Sequence, residues 1–125
     1  MITIGYVLAG LLAAAIIAIG ARFLVAPGAA AAGYGVLLGT GDPSGARAYL
    51  SVKGIRDIAT GLIVIVLLLA HATHLVGWVM LAATVIPLGD AVIVLRNGGA
   101  QSIAYGVHAG TAAVMVLTAA LLLAS

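Results

Sequence analysis

The stretch that decides the fold is residues 49–70, YLSVKGIRDIATGLIVIVLLLA. It has the length of a membrane span, which needs about 20 predominantly apolar residues. It also contains three charged side chains, Lys53, Arg56 and Asp57. A charge at the centre of such a helix costs about 2.5–3.5 kcal/mol on insertion scales, so charged residues there face a bundle interior or a cavity. The stretch therefore predicts both a spanning helix and a buried polar site.

Three further apolar runs of similar length accompany this stretch. Only 6% of the residues are charged, and the mean hydropathy is +1.34, far from the composition of soluble proteins. We predict an all-α membrane protein, a four-transmembrane-helix bundle that forms a single domain over residues 1–125. The predicted spans are residues 3–25, 49–70, 74–95 and 102–124.

Between the first two spans lies the apolar segment Pro27–Leu38, PGAAAAGYGVLL. It is too short to cross a membrane and predicts a re-entrant or interfacial segment. The glycine-rich residues 39–45 then predict a turn. The first apolar run lacks a basic leading region and exceeds the usual length of a signal-peptide core, so we expect a retained span.

Basic residues flank only alternate connections. Arg22 and Arg47 border the first connection and Arg96 the third, whereas the second connection and both termini have no Lys or Arg. By the positive-inside rule, the first and third connections face the cytoplasm and both termini lie outside. We predict a multi-pass protein of the cell membrane, and in a bacterium the cytoplasmic membrane.

Composition excludes several classes of function. The chain has no cysteine, which excludes disulfides, thiolate metal sites and iron–sulfur clusters within it. A net charge of +2 is too small for a surface that tracks nucleic-acid phosphates. His71 and His74 have helical metal spacing but no neighbouring carboxylate or thiolate, so we predict a polar turn there and no metal site. No cofactor is identifiable from the sequence.

Polar side chains of all four spans fall at one level of the membrane. At about 1.5 Å per residue they lie about 6–11 Å from the predicted cytoplasmic boundary, while the outer halves of the spans are almost purely aliphatic. We predict a polar pocket in the cytoplasmic third. Its candidate ligand-binding residues are Arg22, Lys53, Arg56 and Tyr105, and its candidate catalytic residues are Asp57, Asp90 and His108.

The charges of this layer do not balance. Lys53 and Asp57 are spaced to pair one turn apart on the same helix. Counting Arg22, Lys53 and Arg56 against Asp57 and Asp90 leaves one excess positive charge, which would suit an anionic or electron-rich head group. Buried ion pairs can also simply fasten helices together, and that structural alternative stays open.

Two backbone features belong to the same region. Pro87 cannot donate a hydrogen bond to the carbonyl of Ala83, so the third span should kink just before Asp90. Gly106 and Gly110 form a small-residue face that permits close helix contact. We expect that face to serve packing within the bundle, with a contact between two copies as the alternative.

Five short motifs are spread along nearly the whole chain: Arg22-Phe23 with Pro27, Gly33-Tyr34-Gly35, Lys53-Gly54-Ile55-Arg56-Asp57 with Gly61, Pro87-x-x-Asp90, and Tyr105-Gly106-x-His108. Together they resemble a family of small four-helix bacterial and fungal membrane proteins catalogued as a domain of unknown function. The architecture is also similar to DoxX-like membrane proteins, some of which are subunits of quinone-linked oxidoreductases. The second likeness concerns the fold alone, so it implies no residue roles.

Two functions from different classes fit these features. In the first, the pocket binds a small isoprenoid-, quinone- or lipid-like molecule. Asp57 or Asp90 could then process it as general acid or base, with His108 relaying protons and Tyr105 donating a hydrogen bond. In the second, the protein is a non-catalytic accessory or assembly subunit of a larger membrane complex.

A proton-coupled transporter is the weakest option, because four spans without an inverted repeat would need a second copy. The lipid bilayer is the expected partner, with a homo-oligomer or larger complex as a further possibility, and whether the protein is an enzyme stays open.

Overall fold

The computed structural model describes residues 1–36, 38–39 and 43–125, and every regular element within them is helical. The prediction of an all-α protein is confirmed. The elements are α1 (Ile2–Val25), α2 (Pro27–Tyr34), α3 (Pro43–Leu69), α4 (Thr73–Ala83), α5 (Val85–Arg96), a π-helical segment (Ile103–Ala109) and α6 (Gly110–Leu123).

Length and composition identify the chain as a helical membrane protein. Three helical stretches of the described residues are long and apolar enough to cross a membrane: Ile2–Val25, Thr73–Arg96 and Ile103–Leu123. The 27-residue α3 is also long enough. However, α3 carries Lys53, Arg56 and Asp57 near its middle, so its composition alone does not mark it as a span.

The predicted re-entrant or interfacial segment contains the short helix α2. Pro27 begins it at a position where a missing N–H is no loss. Gly35 ends it with φ at +94°, a left-handed conformation that glycine adopts without strain. The chain then continues to α3, which begins at Pro43, six residues before the predicted start of the second span. Residues 40–42 of the predicted turn lie outside the described residues, and residues 43–45 are helical.

The third helical stretch is interrupted at Thr84, between α4 and α5. The interruption falls where Pro87 leaves the carbonyl of Ala83 without its helical partner. The Thr84 hydroxyl turns back and donates to the carbonyl of Met80 at 2.8 Å. The regular helix is thus interrupted six residues before Asp90, and the kink expected there stays a prediction.

The closest helix contact joins α1 and α3, which run antiparallel. A Cβ atom added at Gly20 or at Gly54 would lie 2.5 Å from the carbonyl oxygen of the other residue. Further towards the chain termini, a Cβ at Gly61 would lie 2.7 Å from the carbonyl oxygen of Ala13. Two backbones can therefore touch only because these positions lack side chains.

The two ends of the molecule pack differently. At the terminal end, which carries both chain termini and the turn between α3 and α4, an aliphatic core closes the structure. Its buried members are Ala9, Ala13, Val64, Val76, Met80, Ala119 and Leu122. At the other end, which we call the α2 end, α5 packs mainly on the π segment, and its described residues do not pack extensively against α3. This difference leaves room for a cavity towards the α2 end.

Candidate functional site

A cavity of about 140 Å³ lies between the helices at the level of the charged residues. Every helical element contributes to its walls, and α2 does so through Tyr34. Most of the lining is aliphatic, and the polar residues are Tyr34, Lys53, Asp57, Thr60, Asp90, His108 and Thr111. An engineered apolar cavity of about 150 Å³ holds benzene, so this one suits a ring-sized group.

The cavity brings together some of the predicted site residues and leaves others outside. Four of the seven line its walls: Lys53, Asp57, Asp90 and His108. Three lie on the exposed surface and are absent from the described walls: Arg22, Arg56 and Tyr105.

Local geometry explains the three outside positions. On α3 the cavity-facing line is Lys53, Asp57, Thr60 and Val64, and Arg56 is turned about 100° from its neighbour Asp57. On α1 the guanidinium of Arg22 extends towards α2, since a Cβ at Gly33 would lie 3.7 Å from its Nη1. Tyr105 lies in the π segment, whose wider turn does not follow the α-helical spacing that placed it beside His108.

Lys53 is held within the protein on three sides. Its Nζ lies 2.6 Å from Oδ2 of Asp57. The same atom lies 4.5 Å from the centre of the Phe23 ring and 4.4 Å from that of Tyr34. Aromatic faces attract cations at such distances. The charge of Lys53 is therefore balanced by this chain itself.

Tyr34 joins α2 to the π segment. Its ring packs edge-to-face on His108, with ring centres 4.3 Å apart, and on Phe23 at 5.8 Å. Its backbone carbonyl lies 2.9 Å from Nε2 of His108. Because a carbonyl can only accept, Nε2 carries the proton and Nδ1 of a neutral His108 is an acceptor. His108 is buried and stabilises the last turn of α2 through this hydrogen bond.

The hydroxyl of Tyr34 is buried and makes no hydrogen bond of standard geometry within the described residues. Burial raises its pKa above the ordinary value, and the neighbouring Asp90 carboxylate raises it further. The phenol therefore stays protonated at neutral pH and remains a hydrogen-bond donor beside Asp90.

Asp90 has no ion pair and no standard hydrogen bond within residues 1–36, 38–39 and 43–125. Its carboxylate is close enough to act electrostatically on both Tyr34 and Asp57. The described lining thus contains one lysine and two aspartates, a formal charge of −1. The excess positive charge expected from the sequence does not reach the cavity, because Arg22 and Arg56 lie outside it.

Sequence reasoning did not select Tyr34 as a site residue. A signal was available, since Tyr34 is the only polar side chain between Pro27 and Val36 and is flanked by glycines. The glycines Gly106 and Gly110 were expected to pack within the bundle. A Cβ at Gly106 would meet nothing within 4 Å, so this face makes no close contact with the described residues.

Helices long and apolar enough to span a membrane surround a small, mainly apolar cavity, and Asp90 in its wall has no ion pair within the described residues. These features define a helical membrane protein with a candidate ligand site. Residues 13–122 match the family described as a domain of unknown function, DUF4267, and the chain belongs to this family. The predicted resemblance to a family of unknown function is confirmed, whereas none of the comparisons shows a likeness to DoxX-like proteins. No curated protein and no solved structure matches the chain.

Proposed function

We propose that this chain is a four-span protein of the cell membrane whose cavity binds a small amphiphilic molecule taken from the bilayer. The observation that carries the proposal is Asp90, a carboxylate in a mainly apolar cavity that has no cation as a partner among the described residues and has the Tyr34 hydroxyl beside it. A charged group is costly to keep in such surroundings unless it is paired. A polar group of a bound molecule beside Asp90 lowers that cost, while its apolar part fills the aliphatic walls.

In this proposal α3 is the fourth span. Two of its three central charges, Lys53 and Asp57, turn inwards and pair with each other. The third, Arg56, has a long side chain that can reach towards head groups. The exposed side of α3 carries large apolar residues that suit contact with lipid: Ile55, Leu62, Ile63, Val66 and Leu69. Four spans place both termini on one side, and the basic residues favour the outside.

Access from the lipid phase is supported by residues that belong to both the cavity and the outer surface. Ile19, Ile86 and Val107 line the cavity and are 42%, 46% and 49% exposed. At the α2 end, α3 and α5 are not packed tightly against each other. A membrane-dissolved molecule can therefore enter sideways between helices without crossing the aliphatic core at the terminal end.

If the bound molecule is also processed, Asp90 is the carboxylate that remains for acid/base chemistry, and Nδ1 of His108 remains as a second base. Asp57 is engaged by Lys53, and His108 donates to the carbonyl of Tyr34. General acid/base catalysis needs a group within hydrogen-bond reach of the reacting proton. In this version the Tyr34 phenol, which also faces Asp90, takes the hydrogen-bonding role first assigned to Tyr105.

Native mass spectrometry of the full chain in mild detergent tests the proposal with a matched pair of variants. Ala83 lines the cavity, whereas its neighbour Ala82 is exposed on the same helix. The wild type and Ala82→Phe should carry a small bound molecule, and Ala83→Phe should lose it because the added ring fills the cavity. Equal ligand occupancy in Ala82→Phe and Ala83→Phe, or a wild type that carries nothing, would contradict the proposal.

One observation favours the second candidate, an accessory or assembly subunit. The pairing of Lys53 with Asp57 and two aromatic rings is complete without any ligand, as expected of charges that fix helix positions. A subunit of this kind would co-purify with a stoichiometric partner, and its assembly would not respond to Ala83→Phe.

A further inference from the structure

The polar groups around the cavity offer more free hydrogen-bond acceptors than free donors to a bound molecule. The hydroxyl of Thr60 donates to the carbonyl of Arg56 at 2.8 Å, and that of Thr111 to the carbonyl of Val107 at 2.7 Å. Both hydroxyl protons are thus used within their own helices. What each threonine can still offer to an occupant is an oxygen lone pair.

The stronger donors are also engaged. The ammonium of Lys53 lies against Asp57 and two aromatic rings, and the Nε2 proton of His108 is given to the carbonyl of Tyr34. Among the described lining residues, the donors without a hydrogen bond are the Tyr34 hydroxyl, which lies beside Asp90, and the N–H groups of Lys53 that Asp57 does not accept. The charge of Lys53 is already offset by Asp57 and the two aromatic rings.

The acceptors, by contrast, remain available. A carboxylate has about four lone-pair positions, and Asp90 uses none of them in a standard hydrogen bond with the described residues. One oxygen of Asp57 is not used by Lys53. The lining also carries a formal charge of −1. An occupant that complements these walls must bring hydrogen-bond donors and positive charge.

We propose that the cavity takes a lipophilic amine, a ring-sized apolar body that carries a protonated amino group bound to Asp90. The inference rests on the proposed function, since it names the ligand class of the same cavity. An ammonium group supplies donors and charge together, and hydrogen bonds between charged groups are the stronger kind. Carboxylates within membranes commonly serve as counter-ions of ligands. The head groups of ketones, quinones and anions supply hydrogen-bond acceptors, which the cavity lining already has in excess.

Four probes of similar size separate these possibilities: benzylamine, benzyl alcohol, cyclohexanone and benzoate. Their Kd values are measured by ligand-detected NMR on the full chain in neutral detergent micelles at pH 7, with protein-free micelles as the blank. Benzylamine should bind at least about tenfold more tightly than benzyl alcohol or cyclohexanone, the factor expected of one charge-assisted hydrogen bond. Benzoate should bind most weakly.

The variant Asp90→Asn should reduce the preference for benzylamine over benzyl alcohol to about one, since an amide keeps the shape but loses the charge. Gln101→Lys is the control for net charge, because it adds the same single positive charge at an exposed position, and it should keep the preference. A preference that survives Asp90→Asn would overturn the inference.

The wild-type comparison needs no variant and stays decisive if Asp90→Asn does not fold. If benzyl alcohol binds and benzylamine has no advantage, the amine inference is wrong while the cavity remains a ligand site. If no probe binds above the blank, the proposed function itself fails, and the inference fails with it.

Discussion

Asp57 and Asp90 line the same cavity in different surroundings. Asp57 is buried and its Oδ2 lies 2.6 Å from the ammonium of Lys53, which two aromatic rings also contact. Asp90 has no such partner in the described part of the chain. The same side chain therefore forms an ion pair at position 57, whereas at position 90 it has no ion pair with the described residues.

This contrast predicts different effects of the same substitution. Asp57→Asn leaves the Lys53 ammonium unpaired and should lower the free energy of unfolding by about 2–3 kcal/mol. That is less than for a fully buried pair, because the Lys53 side chain is 28% exposed. Asp90→Asn should leave stability near that of the wild type. Thermal unfolding in detergent measures both.

Adding Lys53→Met to Asp57→Asn provides the internal control. Removing the unpaired ammonium of Lys53 should restore part of the lost stability, since an unpaired buried charge costs more free energy than an apolar replacement. Equal, wild-type-like Tm values for Asp57→Asn and Asp90→Asn would show that the Lys53–Asp57 pair does not stabilise the fold.

At the scale of helices, glycines decide how closely α1 and α3 approach. Gly20 meets the backbone of α3, whereas a Cβ at Gly10 on the same helix would contact nothing within 4 Å. Gly20→Ala should therefore cost about 1–3 kcal/mol through overpacking. Gly10→Ala, the matched control, should be neutral or stabilise by up to about 1 kcal/mol through helix propensity. Unfolding of the two variants in detergent compares them, and equal stability would refute the close crossing.

The π segment and α2 depend on each other through His108. Its Nε2 proton binds the carbonyl of Tyr34, where α2 ends. His108→Leu should free the end of α2, and amide hydrogen exchange of residues 30–36 should become faster while that of α6 stays unchanged. A substitution with a remaining donor, His108→Gln, should show a smaller effect. Unchanged exchange in His108→Leu would mean that α2 is held by packing alone.

Hydropathy predicts helix ends well where the helix is apolar and poorly where it is polar. The first and third predicted spans, 3–25 and 74–95, differ by one residue at most from α1 and from α4 with α5. The second begins six residues too late, because α3 extends through polar residues after Pro43, which hydropathy does not mark. Tyr105 lies outside the cavity because the π segment does not follow the α-helical period that the sequence prediction assumes. Only packing decides that Arg56 faces outwards and that α2 brings Tyr34 to the cavity.

At the scale of the whole molecule, the number of spans decides where the termini lie. The chain has no cysteine, so single cysteines can be introduced and labelled one at a time. With four spans, Thr3→Cys and Ser125→Cys should both react with a membrane-impermeant maleimide on intact cells. Ala100→Cys, in the connection after α5, should react only after permeabilisation. Labelling of the two termini from opposite sides would instead indicate three spans, with α3 lying outside the bilayer.

The central claim is that the cavity beside Asp90 is a binding site, and a crystal structure of the protein purified from its membrane in mild detergent tests it most directly. We expect electron density for a small molecule among Tyr34, Asp90 and His108, with its polar end at the carboxylate of Asp90. A closed interior in which Asp90 is paired with another side chain, and no space for a ligand remains between the helices, would contradict it.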